Sequence, residues 1–336
     1  MLFSLKSNKM FFLFILFIST LISISANSWF GCWIGLEINL LSFIPLISNS
    51  KNLLSNEASL KYFLTQSIAS INFLFVILFK LTIFNTLSNI TLSMLMNMPL
   101  LMKMGSTPFH FWFPNIVEGL SWINNFILMT WQKISPMILM SYFFNKNFLI
   151  LILIMNSIIG AIGGLNQTSL RKILSFSSIN NLSWMMSAML ISENLWLFYF
   201  SFYSFLIAIM CFLFNNFNMF FINQLYIINL NSTIKISFLI NFLSLGGLPP
   251  FIGFFPKWII INFLMINNFK IITFILIMMS LIMLFFYIRI SYSSLMFNYS
   301  KLKWFKIHIK NKNNNWINLI NMISIMGMIF SSLFFL

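Results

Sequence analysis

The stretch KMGSTPFHFWFP, residues 103–114, places glycine and proline in the middle of an apolar segment. The stretch LGGLPPFIGFFP, residues 245–256, has the same spacing. Proline lacks a backbone donor and glycine relaxes the backbone, so both stretches predict interrupted helices. When Pro108 is set on Pro250, an offset of 142 residues, further identities coincide: Gly105 with Gly247, Phe109 with Phe251, Phe113 with Phe255, and Pro114 with Pro256.

We interpret the two stretches as parts of an internal repeat. The first repeat is expected at about residues 10–164, with its broken helix at 92–120, and the second at about 170–292, with its broken helix at 235–266. The broken helices are the fourth and the ninth of the expected spans, an odd five steps apart, so the copies are expected to cross the membrane in opposite directions. Inverted repeats with broken helices are typical of transporters. For either break alone, an ordinary proline kink remains the alternative.

The composition excludes a soluble protein. Sixty per cent of the 336 residues are hydrophobic and 7% are charged, whereas soluble domains carry about a quarter charged residues. Apolar segments of roughly 20 residues predict an all-α polytopic membrane protein with about 11 transmembrane helices, folded as one antiporter-like domain over residues 1–336. The expected spans are 10–26, 29–47, 58–79, 92–120, 125–144, 148–164, 170–191, 195–214, 235–266, 271–292 and 317–336.

The net charge of +15 reflects membrane topology rather than nucleic-acid binding. The lysines are isolated or stand at the ends of spans, and they form no single basic face. Counting the spans against the positive-inside rule predicts an N-terminus inside and a C-terminus outside. Residues 299–314 mix lysines with tryptophan and aliphatic residues, which favours an amphipathic segment lying on an anionic leaflet. Cardiolipin binding is a more specific alternative for that segment.

The sequence predicts no metal or cofactor site in this chain. Cys32 and Cys211 are the only cysteines, and neither belongs to a CxxC pair or stands near a histidine cluster. A glycine-rich dinucleotide fingerprint and a haem ligand pair are also missing from the sequence.

Five ionisable residues inside predicted spans are the candidate site: Glu37, Lys103, Lys133, Lys257 and His110. Charge at the bilayer centre costs at least about 2.5 kcal/mol, so such residues need a reason to be there. A carboxylate and an ammonium in one low-dielectric site favour each other's charge while burial opposes both, which suits proton exchange. We expect Glu37 and Lys103 to pair, Lys133 to be the central carrier and Lys257 the next station. Static buried charges are the alternative, and a backbone carbonyl could equally satisfy His110.

Several motifs together resemble the antiporter-like family of mitochondrial complex I (NADH-ubiquinone oxidoreductase) subunit 2, of the insect type. The resemblance covers essentially the whole chain. The motifs are WIGLEINLLSFIPLI (33–47), SLKYFLTQSIAS (59–70), PFHFWFPNIVEGLSW (108–122), TWQKISP (130–136), GGLNQTSLRKILSFSSIN (163–180) and NFLSLGGLPPFIGFFPKW (241–258).

The resemblance implies an eleven-helix core with two discontinuous helices, and proton translocation across the mitochondrial inner membrane coupled to electron transfer from NADH to ubiquinone. It implies Glu37 and Lys103 as the coupling pair, Lys133 as the central lysine and Lys257 as the distal one. Expected partners are the other membrane-arm and accessory subunits and phospholipids such as cardiolipin, with NAD, FMN, iron-sulfur clusters and ubiquinone held by partner subunits. The N-terminus would face the matrix and the C-terminus the intermembrane space.

The chain departs from the family pattern at Asn181 and Ser183, where histidine and glycine are usual, so a relay through position 181 is doubtful. Two other functions compete with a channel subunit. One is a stand-alone cation/proton antiporter of the same architecture, and the other is a passive scaffold in the membrane arm. A scaffold would not need charged residues in the middle of its spans.

Overall fold

The computed structural model describes residues 7–49, 52–82, 89–227, 232–296, 322, 324 and 325. Within these residues the regular structure is α-helical. Its labelled helices are α1 Ser7–Ser25, α2 Trp29–Ile47, α3 Leu53–Thr82, α4 Asn89–Met104, α5 Trp112–Gly119, α6 Trp122–Met129, α7 Trp131–Tyr142, α8 Lys146–Gly164, α9 Leu170–Met189, α10 Glu193–Phe217, α11 Ile222–Ile227, α12 Ser232–Gly246, α13 Phe254–Ile266 and α14 Lys270–Met296.

The chain divides into an N-terminal unit, Met1–Ile152, and a C-terminal unit, Leu153–Leu336, with the boundary inside α8. Six helices in the described part of the chain are long and apolar enough to cross a membrane. They are Ser7–Ser25, Trp29–Ile47, Leu53–Lys80, Lys146–Gly164, Glu193–Phe217 and Lys270–Tyr292. Shorter apolar helices form the halves of the broken spans. The expected basic segment at 299–314 lies outside the described residues, and so does the expected last span at 317–336 apart from residues 322, 324 and 325.

The first two helices show how the sequence builds a membrane-facing bundle. The hydroxyl of Ser28 caps α2 by accepting from the N–H of Gly31 at 3.2 Å. Gly35 lets α2 approach α1 closely, because a Cβ there would lie 2.7 Å from Ser23. On the opposite face of α1, Phe14 is 62% exposed. An exposed phenylalanine on an apolar helix is stable in contact with lipid rather than water.

Both discontinuous helices predicted from the sequence are present. α4 and α5 are separated by residues 105–111, and α12 and α13 by residues 247–253. Gly105 and Gly247, at the same register position, have φ angles of +69° and +81°. A side chain strains this left-handed backbone, so glycine is required where each first half-helix ends.

The predicted span at 125–144 was wrong in one respect, because it is not continuous. α6 ends at Met129 and α7 begins at Trp131. Between them, both the N–H and the hydroxyl of Thr130 bond to the Phe126 carbonyl, at 3.1 and 2.7 Å. A threonine that bonds back to the preceding turn bends a helix. The interruption places an irregular turn three residues before Lys133.

Candidate functional site

The first break leaves carbonyls at the end of α4 without helical donors, and neutral groups bond to them. The Leu101 carbonyl accepts from the N–H and the hydroxyl of Ser106, at 3.1 and 3.0 Å. The Met102 carbonyl accepts from the indole N–H of Trp112 at 3.1 Å. Unpaired backbone groups at membrane depth are costly, so these bonds stabilise the open backbone.

Lys103 lies in the last turn of α4, directly before the break, and is buried. Its carbonyl accepts from the side-chain amide of Gln66 at 3.2 Å. Its ammonium has no hydrogen-bond or direct ion-pair partner among the residues that the structure describes. Glu37, its expected partner, is half-buried on α2 and interacts with Lys103 electrostatically. The two charges are therefore coupled without touching.

Lys133 approaches the first break from α7. It is only 1% exposed, and its Nζ atom lies 5.4 Å from the centroid of the Phe113 ring. Phe113 itself packs against the break, since a Cβ on Gly105 would lie 2.9 Å from its Cβ. A cation over an aromatic face is attracted by the negative potential of the ring. The structure thus brings Lys103 and Lys133, predicted separately, to one break in the N-terminal unit.

Lys257 belongs to the second break, in the C-terminal unit, and is buried. Its ammonium donates to the Gly246 carbonyl at 2.9 Å and lies 3.5 Å from the Leu245 carbonyl. The same Nζ is 5.9 Å from the centroid of the Trp184 ring. Lysine at a helix C-terminus is favoured by the partial negative charge of the open carbonyls. Lys257 therefore holds the end of the first half-helix with its charge.

His110 is buried within the first break, with its ring centroid 4.2 Å from that of Phe111. The Pro108 carbonyl is close enough to interact with the imidazole. The Nδ1 atom makes no hydrogen bond with the described residues. The unbonded Nδ1 fits a proton relay, and the nearby Pro108 carbonyl fits a histidine held by the backbone. Both interpretations made from the sequence therefore stay open.

Sequence reasoning missed the amides that surround the charged residues of the N-terminal unit. The amide of Gln132 on α7 donates to Oδ1 of Asn39 on α2 at 2.9 Å, and Gln66 on α3 bonds to the Lys103 carbonyl. All three amides stand inside apolar spans. Asn39 is two residues from Glu37, Gln132 is next to Lys133, and Gln66 bonds to Lys103. Polar amide side chains inside otherwise apolar spans were the sequence signal that could have identified these residues.

The C-terminal unit holds a second missed feature, a polar face on α9. Tyr199 donates to Oδ1 of Asn181 at 2.8 Å, and Tyr203 interacts with the hydroxyl of Ser178. The tyrosines are four residues apart and so share a face of α10. Asn181, the position where the sequence departs from the expected histidine, is therefore held by a tyrosine hydroxyl.

Acidic, histidine and cysteine side chains are scattered rather than clustered. Within the described ranges no three of them lie close enough together to hold a metal ion. Cys32 and Cys211 are both buried and unpaired with each other.

The helical membrane fold agrees with what the chain is similar to. A family model described as NADH:quinone oxidoreductase/Mrp antiporter, TM, matches residues 26–284. A chain of respiratory complex I from Thermus thermophilus has a TM-score of 0.83 at 18% identity, covering 97% of this chain and 79% of that one. A chain of the Mrp complex from Dietzia sp. DQ12-45-1b has a TM-score of 0.75 at 15% identity, and the match covers 83% of this chain and 59% of that one. These matches define an antiporter-like membrane protein.

Relatives at higher identity narrow the assignment. NADH-ubiquinone oxidoreductase chain 2 of Anopheles gambiae is 48% identical over 336 residues, covering 98% of both chains. The chain 2 proteins of Aedes aegypti and Locusta migratoria are 49% and 45% identical with the same coverage. The chain belongs to the NADH-ubiquinone oxidoreductase chain 2 family. The resemblance expected from the sequence motifs is thereby confirmed.

Proposed function

We propose that this chain, a core membrane subunit of respiratory complex I, moves protons across the membrane through Lys103, Lys133 and Lys257, with Glu37 modulating the charge of Lys103. One observation carries the proposal: three lysines are buried at or against broken helices. Burying an ammonium at membrane depth is unfavourable, and irregular backbone there needs protein or water partners. Buried lysines and open backbone occur together at both breaks. This arrangement suits a path for protons better than a passive scaffold.

The chemistry required of these side chains is reversible proton binding. An ammonium N–H bond breaks as an acceptor takes the proton, and the neutral amine later regains one. Lys103 is suited to this step because the described residues give its ammonium no bond that must break first. Lys257 must release two carbonyl contacts to do the same. His110 is a further candidate carrier, through the unbonded Nδ1.

The redox chemistry belongs, in this proposal, to partner subunits. NADH, FMN, iron-sulfur clusters and ubiquinone would bind there, and electron transfer would drive this chain through conformational or electrostatic coupling. Named relatives are chains of NADH-ubiquinone oxidoreductase, and this supports assembly with other complex I subunits. The resemblance to mitochondrial complex I subunits supports placement in the mitochondrial inner membrane. The distribution of lysines supports an N-terminus in the matrix and a C-terminus in the intermembrane space.

Lipid contacts are a separate part of the proposal. The segment at residues 299–314 carries the spacing of bases and aromatic residues that suits an anionic leaflet, and cardiolipin would satisfy several lysines at once. Delipidation followed by re-addition of cardiolipin or of a zwitterionic lipid would test this. Recovery of activity with cardiolipin alone is expected.

The decisive test of proton transfer is Lys133→Met in the assembled complex. Methionine keeps an unbranched chain of similar length but cannot carry a proton, so NADH-driven proton uptake by sealed vesicles should fall by at least about tenfold. Lys146→Met is the matched control, because Lys146 is exposed at the start of α8. Undiminished proton uptake in an assembled Lys133→Met enzyme would contradict the proposal.

The assembly itself is tested by separating detergent-solubilised membranes on a native gel and identifying this chain by mass spectrometry. Migration with an NADH-oxidising assembly is expected. Migration as a small separate species would instead favour a stand-alone antiporter.

A further inference from the structure

A small cavity lies among four helices of the N-terminal unit, beside Lys103. Its volume is about 10 Å³, at the lower end of the roughly 10–15 Å³ that one water molecule needs. Its walls come from α2, α3, α4 and α7. The polar residues that line it are Asn39, Tyr62, Gln66, Lys103, Gln132 and Ser135. Cavities lined by apolar groups stay dry, whereas polar cavities in proteins hold ordered water that bonds to otherwise unsatisfied groups.

Ser135 is the side chain in this cavity that most needs a partner. It is 0% exposed, and its hydroxyl has no hydrogen-bond partner among the described residues. Helical serines usually bond back to the preceding turn, as Ser141 on the same helix does to the Ile138 carbonyl at 2.8 Å. Ser135 makes no such bond. An unsatisfied buried hydroxyl is unfavourable, so a ligand that can both donate and accept is expected beside it.

Gln132 supplies a second polar edge of the same cavity. Its side-chain amide is fixed by the 2.9 Å bond to Asn39, which ties α7 to α2. Its backbone carbonyl lacks the usual helical donor, because the residue four positions later is Pro136. Lys103 lines the same cavity, and its ammonium is without a direct partner in the described part of the chain. Lys103, Gln132 and Ser135 thus meet at one small polar cavity.

We infer that Ser135 and Gln132 position a water molecule against the Lys103 ammonium, and that protons enter and leave Lys103 through this water. The inference rests on the proposed function, because it supplies the route by which Lys103 exchanges its proton. In the transfer, one N–H bond of the ammonium breaks as an O–H bond forms on the water. The hydronium so formed gives one of its protons to a neighbouring water molecule of the path and is restored as water, and the reverse transfer reprotonates Lys103. Ser135 and Gln132 are positioning residues, since they act through the water.

The test uses Ser135→Ala in the assembled complex, with Ser141→Ala as the matched control. Removing the Ser135 hydroxyl should slow NADH-driven proton uptake roughly twofold to tenfold, the size of one lost hydrogen bond. Assembly and heat resistance should not fall, because the hydroxyl has no protein partner to lose. Ser135→Thr keeps a hydroxyl and should restore most of the rate. Ser141→Ala should pump like the unaltered enzyme.

Lys103→Met separates failure of the inference from failure of the proposed function. If Lys103→Met stops pumping while Ser135→Ala pumps like Ser141→Ala, the water site is overturned and the proton-carrying lysine stands. If Lys103→Met pumps normally, the role of Lys103 falls and the water site with it. A density map of the complex that resolves waters provides an independent readout. A water bonded to Ser135 is expected there, and an empty or lipid-filled cavity would overturn the inference.

Discussion

The two broken helices share a backbone design but use their lysines differently. In each, seven residues of open chain follow the first half-helix, and the first of the seven is a glycine with positive φ. At the first break, uncharged donors cap the open carbonyls, and Lys103 is left with no direct partner in the described residues. At the second break, the ammonium of Lys257 is itself the cap.

This difference follows from where each lysine stands in the repeat. Lys103 precedes its glycine, whereas Lys257 stands four residues after the end of its break and reaches back to the carbonyls. The positions are not equivalent, because the residue 142 positions before Lys257 is Asn115 and the one 142 positions after Lys103 is Leu245. A charge that caps a helix is held in place, and a charge without such bonds can exchange its proton with less rearrangement.

The largest expected contrast comes from replacing each lysine by methionine. Lys257→Met should abolish pumping and also lower the stability of the solubilised complex by about 2 kcal/mol, because a bond from a charged group to a buried carbonyl is lost. Lys103→Met should abolish pumping with stability unchanged or raised, since an unpaired buried charge is removed. Proton uptake by sealed vesicles measures pumping, and heat inactivation of NADH oxidation measures the stability of the complex.

Lys270→Met, at the exposed start of α14, is the control for the lysine pair. It should leave both pumping and heat resistance unchanged. The contrast between the breaks would fail if Lys103→Met were as heat-sensitive as Lys257→Met.

A smaller contrast is expected at the two glycines. Alanine at either position adopts a left-handed backbone, which costs about 1–2 kcal/mol. In Gly105→Ala the new Cβ also meets the Phe113 Cβ at 2.9 Å, near the backbone, whereas in Gly247→Ala it meets Nζ at the far end of the Lys257 side chain at the same distance. Gly105→Ala should therefore lose more heat resistance, and Gly247→Ala should mainly disturb the ammonium contacts and slow pumping.

Gly246→Ala serves as the reference for both glycine variants. Gly246 is the last residue of α12, and a Cβ there would make an ordinary 3.5 Å contact with Leu284. Equal heat resistance of Gly105→Ala and Gly246→Ala would show that neither the left-handed backbone nor the Phe113 contact matters at the first break.

The fold was largely predictable because membrane spans and helix breaks are local properties of sequence. Length, apolarity and the Gly and Pro positions located both broken helices, and the buried lysines followed from the cost of charge in lipid. The turn at Thr130 was missed, because a threonine that bonds back to its helix looks like any other polar residue in an apolar span. The inverted orientation of the repeats stays a prediction.

The candidate site was less predictable, because side-chain contacts across helices leave no local pattern. The bond between Gln132 and Asn39 joins residues 93 positions apart, and Tyr199 with Asn181 joins two different helices. The sequence also suggested a pair between Glu37 and Lys103, whereas the structure couples them without direct contact. The sequence shows which charged residues lie inside spans, but the distance between two such residues depends on how the helices pack.

The smallest expected effect tests the neutral cap of the first break. Trp112→Phe keeps the aromatic ring but removes the indole N–H that bonds to the Met102 carbonyl at 3.1 Å. That carbonyl also accepts from the Gly105 N–H at 3.2 Å, so it retains one donor. The stability of the solubilised complex, followed by heat inactivation, should fall by no more than about 1 kcal/mol. Pumping should persist because Lys103 is unchanged. A loss of pumping as complete as in Lys103→Met would mean that the uncharged caps belong to the proton path, and the division between a capping lysine and a proton-exchanging lysine would no longer hold.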